Sequence, residues 1–154
     1  MSVQIVLGSK SDMKVAKKAI AVLKELNLKF KLSIASAHRT PELVDKLVDE
    51  ADAEVFIAIA GLSAALPGVI AARTTRPVIG VPVSGALNLD AILSVVQMPP
   101  GIPVAGVGLD RGDNAALLAA EIIALKDDKV AKSLAAYRQK MKDRVVNDSK
   151  EVEI

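Results

Sequence analysis

The sequence predicts an α/β fold in which a parallel sheet of five strands is covered by helices on both faces. Three observations predict it. Short apolar runs alternate with amphipathic stretches from end to end. Of the 154 residues 51% are hydrophobic but only 2% aromatic, so the core is built from Val, Ile, Leu and Ala. Such aliphatic richness suits strands buried on both faces. Third, each apolar run is followed by a helical pattern before the next begins, the order that right-handed crossovers need.

The elements follow in chain order. VQIVLG (3–8) is the first strand, leading through SKSD into MKVAKKAIAVLKEL, where Ala16, Ala19, Ile20, Leu23 and Leu26 fall at helical spacing. FKLSIAS (30–36) is the second strand. A helix opens after it at Thr40-Pro41-Glu42, with Thr40 expected as N-cap and Pro41 in the first turn. VFIAIA (55–60) is the third strand, and SAALPGVIAART a short helix of small residues. PVIGVPV (77–83) and LDAILSVVQ form the fourth unit, PVAGVGL (103–109) and DNAALLAAEIIAL the fifth. A flavodoxin-like three-layer sandwich is the natural form for five such units.

From Asp128 to about Val146 a charged helix carries one apolar stripe, Val130, Leu134, Tyr137, Met141 and Val145. The stripe packs either on its own domain or on a partner subunit. No repeat or linker interrupts the chain, so residues 1–154 are expected to form one domain.

Composition narrows the function. Twenty basic against eighteen acidic residues leave a formal charge of +2, and few aromatics are available to stack bases, which argues against a nucleic-acid partner. The absence of Cys removes disulfides and thiolate chemistry. A metal is not expected, since one His and scattered carboxylates make no ligand set. With no signal peptide at Met1 and no run of membrane-spanning length, a cytoplasmic protein without a membrane partner is expected.

In an open α/β sheet, ligands bind beyond the carboxyl ends of the strands. Those ends carry GSKSD, SAHRT, AGLSAALPG, PVSGALN and GLDRGDN. Gly8-Ser9-Lys10-Ser11-Asp12 offers a close backbone approach, hydroxyls and a helix start, all suited to phosphate. Ser9 and Asp12 are equally ordinary helix caps. Ser36, His38 and Arg39 strengthen the binding reading. Arg39 presents a fork that fits phosphate or carboxylate, and His38 is the chain's one imidazole, the side-chain type suited to proton transfer near neutral pH. Met98, in a loop stiffened by Pro99 and Pro100, is expected as a wall over a ligand or on a neighbour. Asp110, Arg111 and Asp113 read as caps of the helix that follows.

Taken together, GSKSD (8–12), SAHRTPE (36–42), LPG (66–68), PVIGVPV (77–83), VQMPPGIPV (96–104) and NAALLA (114–119) resemble the PurE family of purine biosynthesis. The resemblance runs from about residue 3 to 145. It implies a flavodoxin-like fold assembled as a homo-octamer, and a small ribonucleotide substrate. It also implies a mutase that moves a carboxylate from the exocyclic nitrogen to carbon 4 of an aminoimidazole ribonucleotide, without metal, ATP or another cofactor. The family's ribose and phosphate contacts fall on Ser9, Asp12 and Arg39, and its proton-transfer group on His38. One departure keeps the carboxyl donor open. Ala65 stands where the bacterial mutases carry a second histidine, and Ser63 is similar to the branch that uses carbon dioxide directly. A non-catalytic nucleotide-binding module is the remaining alternative.

Overall fold

The computed structural model describes residues 2–152. Strands β1 (Ser2–Leu7), β2 (Lys29–Ile34), β3 (Val55–Ala60), β4 (Val78–Pro82) and β5 (Ala105–Gly106) form one sheet in the order β2-β1-β3-β4-β5. Every pairing is parallel. The crossovers are α1 (Met13–Glu25), α2 (Pro41–Glu50), α3 (Leu66–Ala71) and α4 (Asn88–Val96); α5 (Gly112–Ala124) follows β5 and α6 (Asp128–Glu151) follows α5. This strand order is the flavodoxin-like one.

Strand periodicity divides the core in two. Val3, Ile5 and Leu7 of β1 and Val55, Ile57 and Ile59 of β3 face α1, α5 and α6. The intervening Val6, Phe56, Ala58 and Ala60 face α2, α3 and α4. Successive side chains on a strand point to opposite faces, so continuous apolar runs are what a doubly covered sheet requires. Where α1 crosses α5 the backbones nearly touch: a Cβ on Gly112 would lie 2.3 Å from the Val15 carbonyl oxygen. Only glycine fits there.

Four expectations shift. The fifth strand, expected over 103–109, pairs only at Ala105–Gly106. Pro103 has no N–H to donate, and the edge position leaves β4 as the only neighbour in the sheet. The small-residue helix begins at Leu66, because Ala64 sits at φ 57°, outside helical space.

Thr40 occupies the N-cap position of α2 but does not cap it. Its hydroxyl accepts from the Ser36 N–H (2.9 Å) and donates to the Ser36 carbonyl (3.3 Å), closing the turn that carries His38. The terminal helix runs on to Glu151, and its stripe divides. Val130 and Leu134 are buried with Tyr137 against them, while Met141 and Val145 are 53% and 67% exposed. No helix among the described residues is long and apolar enough to cross a membrane.

Candidate active site

The strand order reverses between β1 and β3, and a crevice opens at their carboxyl ends, as expected at a topological switch point. A cleft of about 570 Å³ lies there. Four loops line it: Gly8–Asp12 after β1, Ser36–Arg39 after β2, Ala60–Leu66 after β3 and Val83–Leu87 after β4. All six residues expected at a site, Ser9, Asp12, Ser36, His38, Arg39 and Ser63, line this one cleft.

The first loop is built around a capping box. After Gly8 the chain enters a single 3₁₀ turn, Lys10–Asp12, that runs into α1. The Ser9 N–H donates to Asp12 Oδ2 (2.9 Å), and the Ser11 N–H donates to Ser9 Oγ (3.4 Å). Ser11 Oγ donates to Asp12 Oδ1 (3.3 Å). The capping and the binding readings of Ser9 and Asp12 are thus compatible. The same bonds that start the helix hold both side chains at the cleft wall. Asp12 is 6% exposed. Burial pushes its carboxyl above the ordinary value of 3.8, against the lowering effects of the Ser11 and Ser9 hydrogen bonds and the Arg39 charge.

The second loop carries the cationic and imidazole groups. Ser36 Oγ accepts from the Arg39 N–H (3.2 Å) and from Arg39 Nε (3.3 Å). Arg39 Nη2 donates to the Gly8 carbonyl (3.1 Å), which joins the second loop to the first. His38, between them in sequence, is exposed on the cleft. With Thr40 closing the turn from below, the imidazole stands on a braced loop.

The third loop contributes Gly61, Leu62, Ser63, Ala64 and Ala65. Ser63 is exposed, and Ala65 is half-buried at the cleft where the resemblance implied a histidine. Apart from the exposed Leu62, these side chains are small and leave the loop backbone accessible from the cleft.

Two expectations change. Of the two places expected for Met98, over a ligand or on a neighbour, the first is not met: it does not line the cleft, and its Sδ and Cε lie against Gly68 on α3. The proline-stiffened loop packs on the helix behind the site. Asp110 does not cap α5, whose N-cap position is Arg111 without a side-chain capping bond. Its carboxylate accepts from the Ser84 N–H (2.9 Å) instead. Asp113 stays at the helix start, accepting from the Asn114 N–H and pairing with Arg111, both at 2.9 Å.

The β4 loop, Val83 to Leu87, was legible only as a strand end; none of its residues has a side chain that announces chemistry. Among the described residues, no three His, Cys, Asp or Glu side chains gather where they would hold a metal ion.

The arrangement has defined chemical capacities. A guanidinium, a carboxylate and several hydroxyls are groups able to bind a sugar and a phosphate, and an imidazole is a group able to exchange protons.

Comparison with known proteins points the same way. The family model described as AIR carboxylase matches residues 2–144. An N5-carboxyaminoimidazole ribonucleotide mutase from Methanocaldococcus jannaschii is 60% identical over 149 residues, covering 96% of this chain and 95% of the relative. The mutase of Bacillus subtilis is 44% identical over 154 residues, with 96% and 95% covered. Two other relatives are longer proteins, of which this chain spans about half (45% and 46%). The crystal structure of Treponema denticola PurE superposes with a TM-score of 0.89 at 33% identity, covering 99% of this chain and 98% of that one. Matched by family, sequence and fold over nearly its whole length, this chain belongs to the AIR carboxylase family of PurE proteins.

Proposed function

We propose that this chain is an N5-carboxyaminoimidazole ribonucleotide mutase of purine biosynthesis, with His38 as its general acid and base. The observation that carries the reading is the convergence, on one cleft at the switch point, of the only imidazole in the chain with a hydroxyl, carboxylate and guanidinium cluster.

The phosphate and ribose lie against Ser9, Asp12 and Arg39, with Ser36 holding the Arg39 fork in place. The imidazole ring of the substrate lies over the small residues after β3, with Ser63 at the rim. The N–C bond of the carbamate breaks, releasing carbon dioxide inside the cleft, and protonated His38 returns a proton to the exocyclic nitrogen. Carbon 4 of the ring then attacks the retained carbon dioxide. Neutral His38 takes the proton that carbon 4 must lose, and the side chain returns to its starting state. One imidazole serves both transfers.

The full chain assembles as a homo-octamer. The resemblance implies that state, and the exposed half of the α6 stripe provides an apolar surface for it.

Turnover of the N-carboxylated ribonucleotide without ATP or added bicarbonate tests the reaction. Activity that appears only with aminoimidazole ribonucleotide and bicarbonate would overturn the mutase reading in favour of direct carboxylation. His38→Asn is expected to lower kcat by about a hundredfold or more while leaving nucleotide affinity within a few-fold. A His38→Asn enzyme with parental kcat would remove the mechanism.

A further inference from the structure

The β4 rim of the cleft is weakly furnished. Ser84, Gly85, Ala86 and Leu87 are all exposed, and a Cβ added to Gly85 would meet nothing within 4 Å. Small side chains standing away from the body of the protein cannot hold a loop by packing. The rim must be fixed through its backbone.

One residue outside the cleft supplies two of those bonds. The Asp110 N–H donates to the Pro82 carbonyl (2.9 Å), and the Asp110 carboxylate accepts from the Ser84 N–H (2.9 Å). The two bonds bracket Val83, at the point where the rim leaves β4. Asp110 is itself held from another side of the site. Lys18 on α1 donates from Nζ to the Asp110 carbonyl (3.0 Å), and α1 is the helix that begins at the Ser9–Asp12 turn. Backbone geometry points the same way: Asp110 sits at φ 58°, a region disfavoured for side chains other than Asn and Asp. A residue kept in that conformation, with its carboxylate turned onto a neighbouring loop, is a clamp rather than a cap.

We propose that Asp110 is a positioning residue for the reaction: it clamps the root of the Val83–Leu87 rim and so sets how tightly the rim closes on the ribonucleotide. The proposal rests on the ribonucleotide reading given above. Asp110 touches no substrate. It acts through the backbone of Ser84, and because His38 stands on a different loop, the effect falls on binding more than on the chemical step.

Asp110→Gly removes the carboxylate and tolerates φ 58° better than any other residue, so the fold is favoured. Asp110→Asn keeps an oxygen acceptor in the same place. In Asp110→Gly, KM is expected to rise about tenfold with kcat changed less than about threefold. Exchange of the Ser84 amide, followed by NMR, is expected to quicken about tenfold. Asp110→Asn is expected to recover most of both. Parental KM in the folded glycine variant would overturn the proposal, whether Ser84 exchange quickens or not. A fall in melting temperature with unchanged KM would show a merely structural role and overturn it too. Should the parent show no turnover, the failure lies in the reaction reading. The dissociation constant of aminoimidazole ribonucleotide then replaces KM, and an unchanged value in Asp110→Gly is the overturning result.

Discussion

Arg39 donates from Nη2 to the Gly8 carbonyl across 3.1 Å, while its Nε rests on Ser36 Oγ at 3.3 Å. Two loops from neighbouring strands are therefore tied through one guanidinium, whose Nη1 makes no hydrogen bond among the described residues. The geometry depends on planarity and on several donors diverging from one group. A lysine ammonium supplies the charge without the fork.

Arg39→Lys is accordingly expected to weaken ribonucleotide binding about tenfold, with the overall fold retained. Isothermal titration with aminoimidazole ribonucleotide measures this. Parental affinity in the lysine variant would mean that charge alone matters at this position.

Asp12 links the site to pH. Burial raises its carboxyl above the ordinary 3.8, so the ionised group costs stability above its folded-state pKa. That cost is relieved as pH falls through the same value. Asp12→Asn never carries the charge. The stability of the variant relative to the parent is therefore expected to be more favourable at about pH 6 than at about pH 3. Urea midpoints at the two values test it, and a difference independent of pH would count against the assignment. Ribonucleotide affinity is expected to fall in the same variant, since an amide recognises ribose hydroxyls less strongly than a carboxylate does.

Asp110 has the opposite sign. Burial works to raise its carboxyl, but the Ser84 hydrogen bonds and the charges of Lys18 and Lys14 prevail and hold it below 3.8. A depressed folded-state pKa contributes stability that is present above the unfolded value and lost as pH falls through the folded one. Protection of the Ser84 amide is therefore expected to persist at pH 3.8 and to fail only below it. Loss of protection at about pH 5 would contradict the assignment.

Arg76 closes the carboxyl end of α2. Its Nη1 donates to the Ala51 (2.6 Å) and Ala53 (3.0 Å) carbonyls and its Nη2 to that of Val48 (2.6 Å), with the guanidinium 4.7 Å from the Phe56 ring centroid. The last turn of α2 contains no basic residue of its own. Arg76→Ala is expected to cost about 2–3 kcal/mol by chemical denaturation. Because the contact lies far from the cleft loops, KM is expected to remain near that of the parent. A loss below about 0.5 kcal/mol would show the carbonyls finding water instead.

The α6 stripe predicts assembly. Met141→Glu with Val145→Glu places charge on the exposed half and leaves the buried Val130 and Leu134 untouched. Light scattering is expected to show an octamer for the parent and smaller species for the double variant. A parent that stays monomeric would remove the octamer from the account.

The sequence by itself determined the layers and the address of the site. Continuously apolar strands such as Val55–Ala60, each followed by an amphipathic helix, have one economical arrangement, and the loops at their carboxyl ends must share an edge. Ser9, Asp12, Ser36, His38, Arg39 and Ser63 were therefore recoverable as neighbours although they lie on three loops.

Tertiary structure alone decided which polar group meets which. Local spacing suggests that Thr40 caps α2, that Asp110 caps α5 and that Met98 walls a ligand or meets a neighbour. The folded chain turns Thr40 back onto Ser36, Asp110 onto Ser84 and Met98 onto Gly68. It brings Arg76 to a helix end whose last residue, Glu50, lies 26 positions earlier in the chain, and it divides the α6 stripe between core and solvent. Hydrophobic patterning is periodic and averages over many residues, so it survives in one dimension. A hydrogen bond is a single short-range contact whose partner is chosen only after distant segments have packed.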